Sequence, residues 1–88
     1  MYGLEVSPEA YARFKKMRKK NRWLLEVIGK KVRHIRERPH HFKPLHFPLH
    51  NKRRVHIAGS FVLVYEIREK DKTVVIIDFD HHDNVYMK

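Results

Sequence analysis

The sequence predicts an α+β domain in which two N-terminal helices pack on one face of a mainly antiparallel four-stranded sheet. Three observations carry this reading. A helix-start signal at Ser7-Pro8-Glu9 opens about thirty residues whose apolar positions recur at helical spacing. After residue 52 the pattern changes to period two and to continuous apolar runs. Two short turn signals then divide that region into three strands, which short connections make an antiparallel meander. Eighty-eight residues suffice for one domain, 1–88, with a single modest core. At 42% apolar and 34% charged, the composition is that of a folded chain rather than a disordered one.

Tyr2 to Val6 reads as a first strand, short and partly alternating, with Leu4 on one face. Ser7 then supplies a capping hydroxyl, Pro8 a preset first helical φ, and Glu9 a carboxylate near the positive end of the dipole. Tyr11, Phe14 and Met17 follow at three-residue steps as one apolar stripe on an otherwise basic rod. Asn21 breaks that helix. A second runs from about Arg22 to Arg38 on Leu24, Val27, Ile28, Val32 and Ile35, and Pro39 ends it.

Residues 39–52 hold three prolines and four histidines, among them His46 and His50, with no sustained period. They predict an extended surface loop, longer than most connections. Arg54–Ile57, Phe61–Ile67 and Thr73–Phe79 are then strands, separated by turns at 58–60 and 69–72. The runs Phe61-Val62-Leu63-Val64-Tyr65 and Val74-Val75-Ile76-Ile77 suit central strands covered by helices. Tyr65 reads as core. The chain shows no internal repeat and no domain boundary.

Charge is distributed unevenly. Residues 13–54 carry sixteen of the twenty Lys and Arg but only Glu26 and Glu37 as acids, so this block is +14 and the remainder −4, giving the net +10. Such an excess predicts an acidic partner: nucleic acid, an anionic membrane surface or an acidic protein. Without cysteine, neither a disulfide framework nor a thiolate zinc site is available. No apolar stretch approaches the roughly 20 residues of a membrane span, and no signal-peptide core opens the chain. The expectation is a cytoplasmic protein without a membrane partner. The segment His81-His82-Asp83-Asn84-Val85-Tyr86, directly after an apolar strand, places two imidazoles and a phenol where a sheet stops. A basic body with proton-transfer groups at one edge suggests a protein that grips a polyanion and cuts it.

Two segments carry a family resemblance. Arg53-Arg54-Val55-His56-Ile57-Ala58-Gly59-Ser60-Phe61-Val62-Leu63-Val64-Tyr65-Glu66 resembles a strand pair with basic residues on the first strand, a glycine turn, and a tyrosine-bearing second strand. His81-His82-Asp83-Asn84-Val85-Tyr86 resembles a terminal His-Arg-x-x-Val-Tyr signature. With the order strand, two helices, meander, these resemble the RelE/ParE toxin superfamily, and more closely its RelE-type mRNA interferases. The resemblance implies the toxin of a type II toxin-antitoxin pair: an endoribonuclease that cuts translated mRNA on the ribosome, without metal or other cofactor, and so inhibits translation. It also implies a small acidic RelB-like antitoxin as partner. Three departures stand out: Val62 and His82 occupy positions where relatives often carry arginine, and Ala58 is an extra residue before the turn glycine. The alternative is a non-catalytic or ParE-like toxin, whose basic surface binds a protein or nucleic-acid partner and cuts nothing.

Metal-free RNA cleavage needs a base for the 2′-hydroxyl, cations around the phosphorane and an acid for the 5′-oxygen. With an ordinary pKa of about 6.5, histidine can hold either proton-transfer role. Strand alternation places Arg54 and His56 on one face and Arg53 on the other. The predicted catalytic set is Arg54 on phosphate, His56 or His82 on the 2′-hydroxyl, and Tyr86 or His81 on the leaving group or stacked on a base. Lys43, Lys52, Arg53, Lys15, Lys19 and Lys30 are the predicted RNA-binding cations, with Lys16, Lys20, Lys31 and Arg33 beside them. The helical lysines also suit an acidic antitoxin that folds as it binds. Each residue has a plainer reading: His56 hydrogen-bonded on the sheet surface, His81 and His82 solvated, Tyr86 closing the core. His46-x-x-x-His50, and Asp78 and Asp80 with His82, have spacings found in metal sites, but nothing completes a tetrahedral set.

Overall fold

The structure, a computed structural model, describes residues 1–45 and 51–86, with Val85 and Tyr86 defined by backbone alone. Its order is β1 (Gly3–Val6), α1 (Pro8–Lys20), α2 (Arg22–Glu37), β2 (Lys52–Ile57), β3 (Phe61–Arg68), β4 (Thr73–His81) and α3 (His82–Tyr86), with a 3₁₀ turn at Glu69–Asp71. The helix start follows the sequence signal. Ser7 Oγ accepts from the Ala10 N–H at 3.1 Å and donates to the Ile77 carbonyl at 2.6 Å, so the cap also fastens α1 to the sheet. Asn21 closes one helix and opens the next: its N–H donates to the Met17 carbonyl at 2.8 Å, and its side chain accepts from Leu24 N at 3.0 Å.

The sheet order is β1-β4-β3-β2. β1 runs parallel to β4, and the other two pairings are antiparallel. Strand side chains alternate, so one face presents Val55, Ile57, Leu63, Tyr65, Val74 and Ile76 to Ala10, Leu24, Ile28 and Ile35 of the helices. A bulge keeps that arrangement at the end of β4. Ile76 pairs with Tyr65 and Asp78 with Val64, leaving Ile77 as the extra residue. The shift returns Phe79 to the core and turns Asp78 and Asp80 to the opposite face. Without it, a carboxylate would enter the apolar layer.

Tyr65 is fully buried, and its hydroxyl donates to the Pro39 carbonyl at 2.6 Å. Burial pushes its phenol up to about 12, with nearby Arg53 acting weakly in the other direction. The bond holds the segment after α2 against the sheet. Arg53, on the helix face, donates to the Phe42 carbonyl at 2.6 Å and reinforces the same anchor.

Several expectations are revised. β2 begins at Lys52 rather than Arg54, and β4 continues to His81 rather than Phe79. Residues 82–86 form a helix that no sequence pattern announced. Tyr11 leaves the expected stripe: Ala10 takes the buried place, and the Tyr11 ring stands in solvent with the Lys15 ammonium 5.7 Å from its centroid. The expected loop at 39–52 is described only in part. His41 and Phe42 pack against His34, and Pro44 bridges Arg53. His46 and His50 lie outside the described residues.

Candidate functional site

The face turned away from the helices gathers several of the predicted residues. Period two on β2 places Lys52, Arg54 and His56 together there, while Arg53, Val55 and Ile57 face the helices. Across the ladder His56 pairs with Val62, which pairs with Asp80, and Arg54 pairs with Val64, which pairs with Asp78. These two rows frame the candidate cleft, with Val62 and Val64, both buried, between them. At its end α3 turns back over the sheet, and the His82 N–H donates to the Ser60 carbonyl at 2.8 Å. This brings the His82 ring over His56, with centroids 5.9 Å apart and planes 24° from parallel.

Arg13 of α1 closes one side of the cleft. Its Nε meets Asp78 Oδ1 at 3.2 Å and its Nη1 meets Asp80 Oδ2 at 2.9 Å. The other Asp80 oxygen accepts from the His81 N–H at 2.7 Å and from Asn84 Nδ2 at 3.3 Å. One carboxylate thus ties α1, β4 and α3 together. Opposite, Lys52 lies 3.6 Å from Glu66. Sequence reading missed Arg13 and Asp80 in this role, because residues more than sixty positions apart leave no local pattern.

The remaining predicted residues are dispersed. His81 faces the helix side, edge-on to Phe61 at 5.8 Å, while its neighbour His82 turns to the cleft. Both imidazoles approach Asp83, at 3.8 Å from His81 and 3.4 Å from His82. The Tyr86 backbone ends α3, and its side chain lies outside the described part. Arg53 is committed to the Phe42 and His40 carbonyls. Lys43 is exposed on the segment beside β2, where its carbonyl accepts from Arg54 N at 3.4 Å. Lys15, Lys19 and Lys30 are exposed on the helices, across the sheet from Arg54 and His56. Asp78 and Asp80 serve Arg13, and among the described residues no group of three His, Asp or Glu is placed to hold a metal. The cleft therefore brings two imidazoles and an arginine over an apolar floor, an arrangement suited to proton transfer beside an anion.

A family model for the ParE toxin of type II toxin-antitoxin systems (parDE) matches residues 4–86. The candidate toxin RelE4 of Methanocaldococcus jannaschii is 46% identical over 88 residues, spanning 100% of this chain and 94% of its own. Among solved structures, a YoeB/ParE toxin from Agrobacterium tumefaciens superposes with a TM-score of 0.84 at 14% identity, covering 91% of this chain and 98% of that one, a likeness of fold. The Mycobacterium tuberculosis toxin-antitoxin complex RelBE2 gives a TM-score of 0.75 at 26% identity, over 92% and 98% of the two chains. The chain belongs to the RelE/ParE superfamily of type II toxin-antitoxin toxins, within the family described by the ParE toxin model.

Proposed function

We propose that this toxin is a metal-independent mRNA endoribonuclease that acts on the ribosome and so inhibits translation in the cytoplasm. The observation that carries the reading is the stacked His56–His82 pair beside Arg54 on one open face. One imidazole takes the 2′-hydroxyl proton, the Arg54 guanidinium stabilises the pentacoordinate phosphate, and the second imidazole, or Tyr86, returns a proton to the 5′-oxygen. His81, which faces the helix side at the strand end, contacts a base rather than the leaving group. Lys43 and Lys52 extend the cationic path beside Arg54, with Arg53 behind them. Lys15, Lys19 and Lys30 supply a separate basic surface for ribosomal RNA.

The partner is a small acidic antitoxin. Support comes from the net charge of +10 and from the Mycobacterium tuberculosis relative, which is a toxin-antitoxin complex. Among the described residues no helix is long and apolar enough to cross a membrane.

A second reading rests on Val62, which is fully buried at the cleft centre. A cleft without a cation on its floor, in a chain matching a ParE model, suits a toxin that binds a protein or nucleic-acid partner and cuts nothing. Mapping of new mRNA 5′ ends in a translating extract separates the two. Chelator-insensitive, codon-registered cuts that require ribosomes support the nuclease. Intact message with unchanged translation favours the binding module.

A further inference from the structure

A second concavity lies on the other side of the same strand ends. Arg13, Lys16, Met17 and Lys20 of α1, with Phe61, Phe79 and Asp80 of the sheet, enclose about 180 Å³. Its wall is aromatic: Phe61 and Phe79 stack with centroids 5.4 Å apart and planes 8° from parallel, and His81 stands edge-on to Phe61. Phe61 is part-buried, so part of its surface faces the concavity that it lines. Lys16 and Lys20 are exposed, one helical turn apart, and line the rim. Asp80 is already engaged by Arg13, the His81 N–H and Asn84, which leaves the rim cationic in effect.

We propose that this concavity is a stacking subsite for one unstacked nucleobase of single-stranded RNA, whose flanking phosphate is held by Lys16 and Lys20. Aromatic rings beside cations are what single-stranded nucleic acid recognises. The site's position fixes which base enters. Adjacent Cα atoms are about 3.8 Å apart, yet His81 faces Phe61 while His82 faces His56. A strand with its phosphate beside His56 and His82 crosses the sheet end and lays the neighbouring base on Phe61. Stacking selects by ring area rather than by base-edge hydrogen bonds, so a purine is favoured at that nucleotide. This deepens the nuclease reading, on which its choice of nucleotide rests.

The test uses a short single-stranded RNA carrying one 2-aminopurine, titrated without ribosomes. Stacking on Phe61 quenches the probe on binding. Phe61→Leu weakens binding roughly 5- to 150-fold, the range for loss of one aromatic–base stack. Lys16→Gln with Lys20→Gln, which alters exposed positions only, lowers the slope of log Kd against log salt by roughly 0.7 per phosphate contact. Thermal melts check that each variant is folded. Unchanged quenching in Phe61→Leu and an unchanged salt slope in the lysine variant overturn the subsite, even where His82→Ala slows cleavage and the nuclease reading stands. Phe61-dependent quenching in a protein that cuts no message supports the subsite and removes the nuclease reading instead.

Discussion

Replacement of Tyr65 by Phe probes the contact that fastens the segment after α2 to the sheet. The ring stays in place and only the hydroxyl is lost, yet the Pro39 carbonyl that accepted at 2.6 Å is left in a buried position without its donor. Orphaning a buried polar group costs about 1–3 kcal/mol. For a domain of this size, 1 kcal/mol corresponds to roughly 4–8 °C in Tm. Alkaline titration supplies an independent reading. The unfolded phenol ionises near 10 and the folded one near 12, so the stabilisation is complete below pH 10 and is lost as pH rises towards 12. Two pKa units at about 1.4 kcal/mol each put that loss on the order of 2 to 3 kcal/mol. Urea unfolding of the two proteins at pH 7 and across pH 9–12 measures both effects, with circular dichroism as the signal because Trp23 is largely exposed. Equal stability at pH 7, or the same alkaline slope in both proteins, would refute the assignment.

His82→Ala is expected to slow cleavage by about 10²–10⁴-fold, the usual worth of a general acid or base, and Arg54→Ala combined with it to abolish cleavage. Single-turnover rates on ribosome-bound message check this, and unchanged cutting removes both residues from the site. Ala58 has φ +52°, in the left-handed region that favours glycine, so Ala58→Gly is expected to raise stability by about 0.5–1 kcal/mol in urea titration. The carboxyls of Glu5 and Asp71 are held below their ordinary values by hydrogen bonds from Arg68, and that of Glu69 by Lys72. Their stabilising contribution is full above the ordinary carboxylate range and is lost as pH falls through the lowered values. Unfolding midpoints from pH 6 to pH 2 should therefore fall less steeply in Arg68→Met than in the parent, and parallel curves would contradict this.

Legibility followed the range of the interaction that fixes each feature. Ser7-Pro8 and Asn21 are local signals, and both helix boundaries were readable from them. The common face of Arg54 and His56 followed from period two alone. The helix over 82–86 was not readable, since five residues are too few to show a period and His-Asp-Asn reads as loop. Nor was the bulge at Ile77, because the runs beside it are apolar on both faces. The stacking of His56 on His82 depends on that bulge, on the turn at 58–60 and on α3 together, and no single window contains all three. Arg13 was one cation among many in the sequence. Only the fold brings Arg13, in the second turn of α1, to Asp78 and Asp80 at the far end of β4.

The place of β4 in the sheet has a consequence for synthesis. It is the last strand in chain order, yet it lies between β1 and β3 and joins the two halves. A nascent chain that has emerged only as far as the 3₁₀ turn holds β1 and the β2–β3 hairpin with nothing between them. It also lacks Asp78, Asp80 and His82, so the cleft has neither its far row nor its second imidazole. On the proposed reading, cleavage therefore waits until the residues that complete the sheet, Thr73 to His82, have left the ribosome.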